Sequence, residues 1–174
     1  MPSKKIQAQI LGKTISSNSK EAYSISKKSH LGEHIGEKII YLPEEAFYLL
    51  EKNKLEIIQK NKTFSKEESR TKLQRIDKKF STKYPVFKDL KQKGYTLKTG
   101  LKFGADYRVY EKSKKPSEAH AKWILFIDHE SNKISWQEFS AKNRVANSTK
   151  KKLLIAIVDN EEKTTYYEVK WTKP

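Results

Sequence analysis

The chain has 174 residues, enough for one domain or two small ones, and 36% of them are hydrophobic. Lysine and arginine number 37 against 21 acidic residues, a formal net charge of +16 that points to a polyanionic partner, RNA or DNA being the simplest. The lack of cysteine excludes disulfides, thiol catalysis and thiolate metal sites.

The charge is spread along the chain: residues 1–80 carry 17 basic and 10 acidic side chains, residues 81–174 carry 20 and 11. A lysine-rich proteome would give the same excess, so charge alone does not assign a function. Charged residues reach 33%, yet the apolar ones fall into periodic runs, as in a folded protein. No run approaches the roughly 18 apolar residues of a membrane span, and no signal-peptide pattern opens the chain. The expectation is an intracellular, cytoplasmic protein with no membrane partner.

In chain order, Ile6, Ala8 and Ile10 alternate with polar neighbours and predict a strand over 4–11. Ser16 to Lys20 reads as a polar turn, Ala22–Ile25 as a second short strand, and Ser29–Gly36 as a loop holding His30 and His34. Four residues apart, these histidines would share a metal only on a helix, and no third ligand is near. Ile39–Leu42 predicts a strand. Pro43 then suits the first turn of a helix, with Glu44 and Glu45 near its positive end. Leu55–Ile58 predicts another strand. Ser65 with Glu68 is a capping-box pattern, and Leu73, Ile76 and Phe80 follow at helical spacing. A boundary is expected near residues 80–84, giving domains of 1–82 and 83–174.

Tyr84, Phe87 and Leu90 share a helical face ended by Gly94. Tyr95–Lys98 and Ala105–Tyr110 predict strands about a turn at Gly100. A polar loop, Glu111–Ala119, leads to the buried strand Trp123–Ile127. Ser135 with Glu138 predicts another capping box, opening a helix with Trp136, Phe139 and Val145 inward. Leu153–Val158 predicts a central strand, Asp159–Lys163 an acidic turn, and Thr164–Trp171 a final strand. The fold class is α+β: a small mixed N-terminal domain, then a C-terminal domain with a mixed sheet flanked by helices.

Three residues attract attention. Tyr110 ends a strand beside a polar loop, His120 precedes an apolar strand, and Lys151 lies in a lysine run before another. Taken singly, each is more often a packing or solvated residue than a catalyst. Their setting is more specific. Tyr84, the run Phe87–Leu90, Gly94-Tyr95 and the run Lys98-Thr99-Gly100-Leu101-Lys102-Phe103-Gly104-Ala105-Asp106-Tyr107-Arg108-Val109-Tyr110 stand in order before His120. Arg144-Val145-Ala146-Asn147-Ser148, the run Lys151–Asp159, Tyr166-Tyr167 and Lys173-Pro174 come after it. In these segments the second half resembles the catalytic domain of archaeal tRNA-splicing endonucleases. The likeness covers nearly all of 84–174, and extends more loosely to Leu42–Leu50.

The resemblance implies catalytic roles for Tyr110, His120 and Lys151. The family's small residue, two spacers and lysine, counted from Ser148, select Lys151 over Lys150 and Lys152. It further implies RNA contacts at Arg144, which would stack on a bulged base, and at Ser148; Trp171 fits either the partner of that contact across a subunit boundary or a core or dimer-interface tryptophan. Asp159, Glu161 and Glu162 would form a loop that docks on another subunit. The expected partners are a precursor tRNA with a bulge-helix-bulge motif, and sister subunits in a homo-oligomer or a heterotetramer with a related structural subunit. The residue types suit RNA cleavage by its own 2′-hydroxyl, which needs a base, an acid and a cation but no cofactor or metal. Two other readings stand beside it: a non-catalytic structural subunit of the same assembly, and a metal-dependent nuclease using Asp106, Asp128, Glu130 or Glu138.

Overall fold

A computed structural model describes residues 4–174. The described residues up to Ser81 and residues 82–174 form two compact units.

In the first unit β1 (Ile6–Leu11) and β2 (Thr14–Ser17) form a hairpin, followed by α1 (Lys20–Ser29), β3 (Glu33–Ile35) and β4 (Lys38–Tyr41). Then come α2 (Pro43–Glu51), β5 (Leu55–Gln59), β6 (Lys62–Thr63) and α3 (Lys66–Ile76). The strands make one mixed sheet in the order β3-β4-β2-β1-β5-β6, with β1 and β5 parallel. Alternation puts Ile6, Ala8 and Ile10 on one face with Ile15, Leu55 and Ile57, all buried.

Several expectations are corrected here. Ala22–Ile25 is part of α1, not a strand. Ser19 caps that helix, accepting the Ala22 amide at 3.2 Å, a signal hidden in the polar run around it. Of the turn expected over Ser16 to Lys20, Ser16 and Ser17 end strand β2, held by Ile15 opposite Ile10, and Lys20 opens α1. The loop expected over 29–36 holds β3, which places His34 in a strand edge-on to Tyr23, whereas His30 is the left-handed cap of α1. Glu45 does more than complement the dipole of α2: its carboxylate accepts the Leu42 amide at 2.9 Å. The capping box of Ser65 and Glu68 is formed in both directions. Its helix nevertheless stops at Ile76, because Asp77 turns extended and its carboxylate accepts the Lys79 amide at 2.8 Å. Phe80 therefore opens the next helix, packed edge-on against Phe47.

That helix, α4 (Phe80–Gln92), leads into the second unit. There β7 (Thr96–Thr99), a 3₁₀ turn over Leu101–Phe103, β8 (Tyr107–Tyr110), β9 (Trp123–His129), α5 (Trp136–Ser148), β10 (Lys152–Val158) and β11 (Thr164–Val169) follow. The sheet order is β11-β10-β9-β8-β7, with only β9 and β10 parallel. The strand expected to be central, β10, is thus second from the edge, and β9 is central. The two helices take opposite faces. Phe87 of α4 meets Tyr107 and Asp89 accepts the Tyr166 hydroxyl at 2.6 Å on one face. On the other, Ala146 of α5 packs with Ile124, Leu153 and Ala105. The capping box expected at α5 forms only by half, the Ser135 hydroxyl accepting the Glu138 amide at 3.1 Å while the Glu138 carboxylate pairs with Lys142. Trp136 does not point inward as expected but is 83% exposed, since it is the first residue after the Ser135 cap and faces away from that core.

Candidate active site

Strand register assembles the site. β8 runs antiparallel to β9, and β9 parallel to β10, so the C-terminal end of β8 lies beside the N-terminal ends of β9 and β10. Val109 stands opposite Trp123, and Trp123 opposite Lys152. The pairing continues outward: the Lys122 amide donates to Val109 O at 2.9 Å, and the Lys152 amide to Lys122 O at 2.9 Å. Tyr110, His120 and Lys151 all lie at this one end. Here β11 also finishes, with Val169 opposite Leu153, so Trp171 belongs to the same end. The acidic turn of Asp159, Glu161 and Glu162 lies at the other end, between β10 and β11.

Tyr110 is only 4% exposed, more buried than a strand-end tyrosine facing a loop suggests. It shares a sheet face with Arg108, and its hydroxyl has no hydrogen-bond partner among the described residues. His120 is exposed, past the turns of the loop that starts at Glu111, and likewise makes no side-chain hydrogen bond among them.

Lys151 is held by the end of α5. The Lys150 amide donates to Asn147 O at 3.0 Å and the Lys151 amide to Ala146 O at 2.9 Å, a Schellman closure. It requires Lys150 to be left-handed, at φ 55°, where glycine is the usual residue. The Lys151 ammonium donates to Thr149 O at 2.9 Å and sits 5.6 Å from the centre of the Phe103 ring. Phe103 reaches it because the 3₁₀ turn folds back over this face and packs on the core. Gly100 permits the fold-back: a Cβ there would lie 2.9 Å from Ala105 O and 3.0 Å from the Tyr107 backbone. Arg144 and Ser148 are four apart on α5, both exposed, with the Ser148 hydroxyl donating to Val145 O at 3.1 Å.

A chain of contacts that spacing did not reveal ties these strand ends together. Glu111, next to Tyr110, pairs with Lys122. The Lys122 ammonium also lies 4.7 Å from the Trp123 ring centre. Trp123 Nε1 donates to Glu168 at 2.7 Å, and Lys152 Nζ donates to the same carboxylate at 2.6 Å. Lys122 lowers the pKa of Glu111, and Lys152 with Trp123 lowers that of Glu168. These partners come from three strands and a loop, so only the register brings them together.

The carboxylates of the metal-nuclease reading are each engaged locally. Asp106 accepts the Ile127 amide at 2.8 Å, Asp128 accepts the His129 amide at 2.9 Å, Glu130 accepts the Asn160 side chain at 2.9 Å, and Glu138 pairs with Lys142 at 2.7 Å. Among the described residues, no three histidines or carboxylates gather as a metal site. No helix among them is long and apolar enough to cross a membrane.

Comparison with known proteins agrees with this architecture. Residues 80–166 match the family described as tRNA intron endonuclease, catalytic C-terminal domain, and residues 6–70 match its N-terminal domain. A tRNA-splicing endonuclease of Nanoarchaeum equitans is 45% identical over 75% of this chain and 87% of its own length. Those of Thermococcus kodakarensis and Methanothermobacter thermautotrophicus are 36% and 37% identical, each over 84% of this chain and 85% of their own. The chain belongs to the tRNA intron endonuclease family and is an endonuclease of tRNA splicing.

Proposed function

We propose that this chain is a catalytic subunit that excises introns by cutting precursor tRNA at bulge-helix-bulge junctions, with Tyr110, His120 and Lys151 as its catalytic residues. The observation that carries the reading is the gathering of these three at one end of β8, β9 and β10. Tyr110 takes the proton of the 2′-hydroxyl as that oxygen bonds to phosphorus. The bond from phosphorus to the 5′-oxygen breaks, and His120 protonates the departing oxygen. Lys151 moves from Thr149 O to the phosphoryl oxygens and stabilises their added charge. The products are a 2′,3′-cyclic phosphate and a 5′-hydroxyl. Arg144, Ser148 and Trp171 hold the splayed RNA around the cut, through stacking and phosphate contacts.

Assembly is part of the proposal, as a homo-oligomer or with a related structural subunit. β11 is an edge strand with Tyr167 55% exposed, and Trp171 just beyond its end is 58% exposed, which suits pairing with another chain. Within the acidic turn the residues differ. The Asp159 carboxylate accepts the Glu161 and Lys163 amides at 2.8 and 2.9 Å and shapes the turn, whereas Glu161, paired with Lys163, and Glu162 are exposed and are the charges proposed for docking.

The test is cleavage of an end-labelled bulge-helix-bulge RNA in excess chelator by wild type and His120→Ala. Wild type is expected to leave cyclic phosphate ends, and the variant to be slower by about 10²–10⁴-fold. Undiminished cutting by the variant within the assembled enzyme would make this chain a structural subunit. Loss of cutting on chelation would restore the metal-dependent reading.

A further inference from the structure

We infer that the first unit carries an RNA-backbone site of its own, a lysine cleft between α1 and the starts of β1 and β5. That its anion is RNA rests on the function proposed above. The cleft is open to solvent, with a volume of about 470 Å³. Lys4, Lys20, Lys28 and Lys54 line it, over a floor that includes Ile25, with Glu21 its one carboxylate.

Three separate stretches of chain converge here, for structural reasons. β1 and β5 are parallel, with Ile6 opposite Leu55 and the Ile6 amide donating to Lys54 O at 2.9 Å. This pairing sets Lys4 and Lys54 at one end of the sheet. Lys20 and Lys28 are eight apart on α1, about two turns, and so share a side of the helix.

What distinguishes these cations is that four of them line one cavity. Three lysines elsewhere in the unit reach carboxylates, Lys5 to Glu56 at 3.0 Å, Lys62 to Glu68 at 2.6 Å and Lys66 to Glu51 at 2.8 Å, but no such carboxylate serves the cleft. None of the four cleft lysines has an ion pair or hydrogen bond from its side chain among the described residues, and neither does Glu21. Four ammonium groups against one carboxylate leave a local charge of +3, a field that repels itself until an anion enters. Flexible lysine rims suit a chain of phosphates, which needs charge rather than fixed geometry. Ile25 adds one apolar contact for a ribose or base.

The experiment measures binding of an intron-free tRNA, which cannot be cut at a splice junction, across a range of salt concentrations. The triple variant Lys20→Gln, Lys28→Gln, Lys54→Gln is compared with Lys13→Gln, Lys60→Gln, Lys78→Gln, an equal charge change on the same unit outside the cleft. The cleft variant is expected to lower the log–log salt slope by about 2–3 and to weaken binding about tenfold at moderate salt, with the control near wild type. Equal shifts in both variants, or none in the cleft variant, would overturn the site. So would competition in which inorganic tripolyphosphate binds the cleft but tRNA does not displace it. The double variant Lys20→Gln, Lys28→Gln serves if the triple folds poorly, with an expected slope change of about 1–2. Because the readout is binding of uncut RNA, failure of the cleavage reading and failure of the cleft show separately.

Discussion

Lys150 is the residue on which the position of Lys151 depends, although it faces solvent. Its left-handed backbone closes α5, and a side chain pays for that conformation where glycine would not. Lys150→Gly is expected to raise unfolding free energy by about 1 kcal/mol, read from urea midpoints. An unchanged or lower midpoint would show that the cap is not strained. Glu168 gives a second prediction, in pH. Its carboxylate is held below the ordinary range by Lys152 and then Trp123. A depressed carboxyl stabilises fully at neutral pH, and its contribution fades as pH falls through the ordinary glutamate range and below. The melting-temperature advantage of wild type over Glu168→Gln should therefore shrink between about pH 7 and about pH 3. A constant gap would mean that shape rather than charge ties β11 to β10. The exposed setting of the pair keeps the effect small.

At the scale of elements, Gly100 and Gly104 flank the 3₁₀ turn with opposite demands. Gly100 has no room for a side chain, because backbone atoms fill the space. Gly104 has open space but a φ of 64°. Gly100→Ala is expected to cost about 2 kcal/mol or more and to slow cleavage as Phe103 shifts from Lys151, whereas Gly104→Ala should cost about 1 kcal/mol. Equal costs would show that the turn relaxes around either residue. What could be read in advance divides along similar lines. α3 was legible because Ser65 and Glu68 are three residues apart and complete their own cap. α1 was not, because its cap sits in a run of serines and Ala22 to Ile25 alternates as a strand does. β3 is too short to announce itself without β4 beside it. In the site, residue types and a family pattern pointed to Tyr110, His120 and Lys151. Their common location, and the ties through Lys122, Trp123 and Glu168, are products of register between strands far apart in sequence.

At the scale of the whole molecule, charge is divided by task. The ends of β8, β9 and β10 carry the proposed chemistry, the opposite end of that sheet carries the acidic hairpin, and the first unit carries the lysine cleft. The proposed docking role of the hairpin predicts that Glu161→Lys with Glu162→Lys will lower the mass seen by sedimentation. Asp159→Ala should instead loosen the hairpin itself. An unchanged mass in the charge-reversed protein would remove the turn from the interface.

The parallel pairing of β9 with β10 has a consequence for biosynthesis. Adjacent parallel strands need a crossover, here the whole of α5, so Trp123 meets Lys152 only after 28 intervening residues have been made and folded back. Until then Tyr110 and His120 exist without Lys151 beside them. A nascent chain still growing through α5 already holds the RNA site proposed for its first unit, but not yet the lysine proposed to stabilise the cut.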